Sequence, residues 1–186
     1  MNDFQQQLAF GKIAETHIAT WLRRVRGYDI LPVYEQEIET GKGPRLFTAD
    51  DEIVAPDMLA MRYDRIMWIE AKHKTVFSWY GRDRRWVTGI DIRHYGDYQR
   101  IVQRYPWPVW ILFLHRSPCT DRSDIQRWNA PPICPTGLYG RSLPYLSAHE
   151  SHRSDRHGRS GMVYWAYETL TLLATIDEVN TACGSS

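Results

Sequence analysis

Met67-Trp68-Ile69-Glu70-Ala71-Lys72-His73-Lys74 is the stretch whose reading decides this chain. A β-strand sends successive side chains to opposite faces. Met67, Ile69 and Ala71 then share a face suited to packing, while Trp68, Glu70, Lys72 and Lys74 share the other. Glu70 and Lys72 project side by side. Just upstream, Pro56-Asp57 opens another expected strand, residues 57–62, joined to residues 66–74 by a short turn at 63–65. Paired as a hairpin, the two strands bring Asp57 near Glu70. Two carboxylates and an ammonium then occupy a small volume. Like charges so placed repel unless a cation joins them. Mg²⁺ suits that place, because hard divalent ions prefer carboxylate oxygens and keep several waters.

Upstream, residues 3–26 read as a helix, capped by Asn2 or Asp3 and ended by Gly27. Phe4, Leu8, Ile18, Leu22 and Val25 fall on one stripe at the helical period. Glu15 and Gly11 fall on the same stripe. A carboxylate amid a core-facing stripe is costly unless something pairs with it. That something is either a metal site, or a partner such as Arg26 or a backbone amide. Residues 28–38 are rich in β-formers and read as a strand, followed by a turn at 41–44.

Downstream, residues 75–90 read as a loop and 91–105 as a helix with Tyr95, Tyr98 and Val102 on one face. Pro106 and Pro108 stop that helix. Residues 109–114 are an unbroken apolar run, as expected of a central strand covered on both faces. Residues 117–160 show little periodicity and read as a long loop insertion, a mobile flap with six arginines against four acids. A strand at 162–167 follows, then a strand end and short helix within 169–180. The expected fold class is α/β, a mixed central sheet flanked by helices. The whole of 1–186 reads as one domain, with a core of about 3–115 plus 162–180.

The totals bound the function. At 186 residues and 43% apolar, the chain can bury a real core. A net charge of +1 gives no whole-chain case for nucleic acid, so any such case is local. Cys119, Cys134 and Cys183 are widely spaced and odd in number, which fits a reducing cytosol better than a disulfide framework. No stretch reads as a signal peptide or membrane span, so a soluble, cytoplasmic protein is expected. The Cys and His residues of 117–160 lack the close ligand pairs of a zinc module.

Pro56-Asp57 followed by Glu70-Ala71-Lys72, 13 residues on, resembles the PD-(D/E)XK nuclease superfamily. The resemblance spans roughly residues 8–115 and takes in Glu15 on the first helix and Gln99, beside Tyr98, on the helix after the motif strand. It implies a restriction-endonuclease-like core, Mg²⁺ or Mn²⁺, and hydrolysis of DNA phosphodiester bonds by a metal-activated water. By the same resemblance Asp57, Glu70, the Ala71 carbonyl and Glu15 become metal ligands, Lys72 the catalytic lysine, and Gln99 a further catalytic residue. A polar residue on an exposed helix face explains Gln99 equally well. The segment 86–91 gives the chain the style of small nucleases of bacteriophages and mobile elements.

The 77–86 segment interleaves aromatic rings with arginines. Trp79, Tyr80 and Trp86 are expected to stack on bases, and Lys74, Arg82, Arg84 and Arg85 to hold phosphates. The alternative is a loop whose rings tuck onto the core. DNA is the expected partner, and cutting both strands would suggest a homodimer. The rival from another class is a catalytically inactive nucleic-acid-binding or assembly subunit that keeps the fold.

Overall fold

The computed structural model describes residues 3–33, 44–158 and 160–184, with side chains from residue 12 onward. The expected cap Asn2, the end of the strand at 34–38 and most of the 41–44 turn lie outside the described residues, as do the side chains of Phe4 and Leu8.

A long helix, α1 (Asp3–Arg24), precedes β1 (Asp29–Pro32) and a short hairpin of β2 (Arg45–Phe47) and β3 (Glu52–Val54). Then come β4 (Met58–Arg62) and β5 (Arg65–Lys74), the expected hairpin. Its ladder closes at Arg62 opposite Arg65, so the turn is the two residues Tyr63 and Asp64, and Arg65 already belongs to the strand.

The expected loop at 75–90 is instead β6 (Ser78–Tyr80) and β7 (Arg85–Asp91), a second hairpin. Asp91 ends β7 and caps α2 (Ile92–Arg104), its carboxylate accepting from the Arg93 N–H at 2.9 Å. The apolar run becomes β8 (Val109–His115).

The segment 117–160 departs most from expectation. It holds α3 (Arg122–Trp128), β9 (Gly137–Ser142), α4 (Leu143–Ala148) and β10 (His152–Ser154). It is therefore not a loop insertion, because β9 is a strand of the central sheet. The chain continues through β11 (Met162–Ala166), β12 (Thr171–Ala174) and α5 (Ile176–Cys183).

The central sheet has the order β1-β4-β5-β8-β9-β12, and only the β5–β8 pair is parallel. The mixed sheet flanked by helices is thus the architecture the sequence led us to expect. A second, antiparallel sheet has the order β10-β11-β7-β6. Gly89 lets its strands close up, since a Cβ there would stand 2.3 Å from the Val163 carbonyl oxygen.

Alternation along β5 and β8 divides the core. Ile69, Ala71, Leu112 and Leu114 face α1 and α5, meeting Ala14, Ile18, Trp21, Leu22 and Val179. Trp68, Ile111 and Phe113 face α2, α4 and the second sheet, meeting Tyr95, Tyr98, Leu146 and Trp165. Each large aliphatic or aromatic side chain so buried contributes roughly 1.5–3 kcal/mol. The sheet is held from both sides, and β5 runs through its middle. Among the described residues no helix is long and apolar enough to cross a membrane.

Candidate active site

Asp57 stands just before β4. Its carbonyl oxygen accepts from the Val33 N–H at 2.9 Å, which ties the start of β4 to the end of β1. The ladder pairs Met58 with Ile69, so one further step sets Asp57 opposite Glu70. Directly opposed residues share a face. The Asp57 carboxylate bends toward the strand and its Oδ2 accepts from the Ala71 N–H at 2.7 Å. Along a strand a residue's N–H and C=O point to the same side. The Ala71 carbonyl therefore also faces the side where β4 has ended.

Glu70 is 1% exposed. One of its oxygens pairs with the Lys72 ammonium. The other, Oε2, is buried and makes no well-formed hydrogen bond among the described residues, although the Tyr98 phenol approaches the Glu70 carboxylate. A buried carboxylate oxygen left without one is expensive, and such atoms mark strain or an absent ion.

Burial raises the Asp57 pKa well above the usual carboxylate range, and the charges of Glu70 and Glu15 raise it further. Lys72 and the Ala71 N–H oppose this without cancelling it. Burial pulls the Lys72 pKa down, but Glu70, Asp57 and Glu15 outweigh it and the net shift is upward. Lys72 is thus a firmly protonated cation surrounded by carboxylates. Glu15 reaches this group from α1, lining with Asp57 a cavity of about 710 Å³. The sequence stripe that held Glu15 among apolar residues pointed at this placement.

These residues suit a divalent cation by donor chemistry. Asp57, Glu70 and Glu15 offer hard oxygens, the Ala71 carbonyl faces the same side, and negative charge exceeds positive. Among the described residues, however, no three His, Cys, Asp or Glu side chains already stand close enough to hold one together. Lys72 occupies Glu70 instead.

The neighbouring helix contributes Tyr98, which the sequence reading set beside Gln99, and His94, which it passed over. Burial, then the charges of Glu70 and Asp57, push the Tyr98 phenol well above its ordinary range. Burial and the Lys72 charge push His94 down. The two lie one turn apart on α2, ring centroids 6.2 Å apart. The Gln99 amide donates to the Ser147 hydroxyl on α4 at 3.4 Å. The i, i+4 spacing of His94 and Tyr98 toward the motif strand was a usable signal for this face.

The 77–86 residues follow the alternative reading in part. Trp86 is 9% exposed and meets Trp79 edge-on, with centroids 4.8 Å apart. Tyr80 stacks on His152 at 3.9 Å. Trp86 is thus tucked onto the core, as the alternative reading had it, while Trp79 and Tyr80 stay half-buried. The cause is the hairpin, which sets Trp79 opposite Trp86. Arg82, Arg84 and Arg85 remain exposed, with Arg85 3.5 Å from Asp83. At about 3.3 Å per residue, β7 carries this tip roughly 20 Å from the start of α2. Lys74 follows Lys72 on the motif face; burial and the Lys72 charge lower its pKa to about 8.

No protein-family model matches the chain, and no curated protein matches it. Several solved structures are similar to it, two of them nucleases. One is Hjc, a Holliday junction resolvase from the archaeal hyperthermophile Archaeoglobus fulgidus, at 8% identity over 86% of this chain and 90% of that one, with a TM-score of 0.47. The other is a nuclease from a fusselovirus, at 12% identity over 94% of this chain and 89% of that one, with a TM-score of 0.38. At these scores the chemistry of the present chain rests on its own residues.

Proposed function

We propose that this chain is a deoxyribonuclease that hydrolyses phosphodiester bonds with the help of Mg²⁺ or Mn²⁺. The observation that carries this reading is the gathering of Asp57, Glu70 and Glu15 around Lys72, with Glu70 Oε2 buried and without a well-formed hydrogen bond among the described residues. Such a cluster costs stability unless a cation joins its carboxylates. Asp57, Glu70, the Ala71 carbonyl and Glu15 would hold the cation. When bound it supplies charge neutralisation at the phosphate and a more acidic water.

The chain's own groups do the rest. The Ala71 N–H fixes the Asp57 carboxylate, so this acceptor needs no rearrangement. Lys72 acts as an ammonium, turning from Glu70 toward the phosphate oxygens as charge develops there. With its pKa raised, it stabilises charge rather than removing a proton. Tyr98 replaces Gln99 as the α2 residue at the site, bearing on Glu70 from the sheet's other layer. Lys74 and the exposed arginines 82, 84 and 85 supply phosphate contacts.

A second reading, a DNA-binding or assembly subunit without catalysis, is favoured by the direct Lys72–Glu70 pair. Titrating the protein with Mg²⁺ and Mn²⁺, with and without single- and double-stranded DNA, separates the two. Binding of either ion together with cleavage supports the nuclease. Failure of both ions to bind or to support cleavage would favour the subunit.

A further inference from the structure

α1 carries two neighbouring stripes. Ala14, Ile18, Trp21 and Leu22 pack on the sheet. Lys12, Thr16, Ala19 and Arg23 recur at helical spacing beside them and line the 710 Å³ cavity. The opposite wall is apolar, built from Ile30, Pro32, Val33, Pro44 and Met58. Glu15 and Asp57 line the same cavity, so it adjoins the carboxylate cluster directly.

Its size lies within the range of small-molecule sites, about 300–1,000 Å³. Lys12 and Arg23 are exposed. Eleven helical residues set them roughly 16 Å apart, too far to share one phosphate. They suit successive phosphates of one strand tracking along α1. An apolar wall facing these cations has a use when a base leaves its stack. A paired base shows a protein only its edge, whereas an unpaired base can bury its faces.

We infer that this cavity receives an unpaired nucleotide beside the bond to be cut, so that the substrate class is DNA that is single-stranded, frayed or flapped at that point. The inference rests on the nuclease reading for the identity of the polymer.

The test is a binding measurement in EDTA, read by anisotropy, using the whole protein with a short labelled single strand and with a blunt duplex of the same sequence. The parent binds the single strand more tightly. Ala19→Phe fills the cavity from its α1 wall and weakens single-strand binding by about tenfold or more, the scale of losing one base contact, with duplex binding unchanged. Lys12→Ala and Arg23→Ala, both at exposed positions, each lower the salt slope of single-strand binding by about 0.7. These two variants decide the matter if Ala19→Phe does not fold.

Equal binding of both DNAs by the parent overturns the inference, as does undiminished single-strand binding by folded Ala19→Phe, or unchanged salt slopes in both cation variants. Cleavage assayed separately keeps the two readings apart. Mg²⁺-dependent cutting with no single-strand preference removes the pocket and leaves the nuclease. A cavity-dependent preference without cutting supports the pocket and removes the nuclease.

Discussion

Asp57→Asn is expected to reverse its standing against the parent when Mg²⁺ is added. The substitution is isosteric, and an amide oxygen can still accept from the Ala71 N–H that Asp57 Oδ2 engages at 2.7 Å. It removes a buried charge that burial, Glu70 and Glu15 all disfavour. The folded pKa of Asp57 is raised, so its contribution to stability is present below its unfolded pKa and is lost as pH rises through the folded one. Each unit of such a shift withdraws about 1.4 kcal/mol by neutral pH. The variant without metal is therefore expected to melt above the parent. Mg²⁺ at ten times its Kd stabilises the parent by about 1.4 kcal/mol, a rise of roughly 3–6 °C. The variant, short of one charged ligand, gains little. Thermal melts at pH 7.5 in EDTA and across a Mg²⁺ series give both numbers. A variant less stable than the parent in EDTA, or one that gains as much from Mg²⁺, would refute the reasoning.

His115 is fully buried, stacked on Phe77 at 3.6 Å, and burial with the Lys74 charge lowers its pKa to about 3. A base with a depressed folded pKa stabilises above its unfolded pKa and loses that as pH falls, so the parent should lose about 2 kcal/mol between pH 7.5 and 5 that His115→Phe keeps. Urea titrations at both pH values check this; equal losses contradict it. Trp86→Ala should destabilise by roughly 3–5 kcal/mol, as a core residue does, whereas Arg84→Ala with Arg85→Ala should leave the melting temperature alone and flatten the salt dependence of DNA binding. A Trp86→Ala protein of parental stability that has lost DNA affinity would restore the stacking role. Tyr98→Phe should slow cleavage by about tenfold or more while Gln99→Ala changes it little, and the opposite ranking would return the α2 role to Gln99.

The hairpin and its site were legible because period-two alternation around Glu70 is strong and β4 pairs with β5 through the shortest of turns. Glu15 was legible as a charge in an apolar stripe. β9 was not, since its sequence holds two glycines and an arginine. Gly140 is there because a Cβ would meet the Leu112 side chain at 2.3 Å, so the tightness of the sheet erases the apolar signal that would reveal it. The short helix α3 was readable from its ends, with Asp121 accepting from the Ser123 N–H at 2.8 Å and Asn129 left-handed at φ 51°. The aromatic hairpin was read as a loop because rings beside arginines look alike whether they meet bases or one another. Opposition of Trp79 and Trp86 depends on a turn that composition alone does not fix.

The central claim is that Asp57, Glu70 and Lys72 form one catalytic group. Its most direct test is cleavage of labelled single-stranded, flapped and duplex DNA in Mg²⁺ by the parent, Asp57→Ala and Lys72→Ala, each shown to be folded by its melting transition. The account predicts Mg²⁺-dependent cutting by the parent and none by either variant. Full activity in a folded Asp57→Ala or Lys72→Ala protein would contradict it.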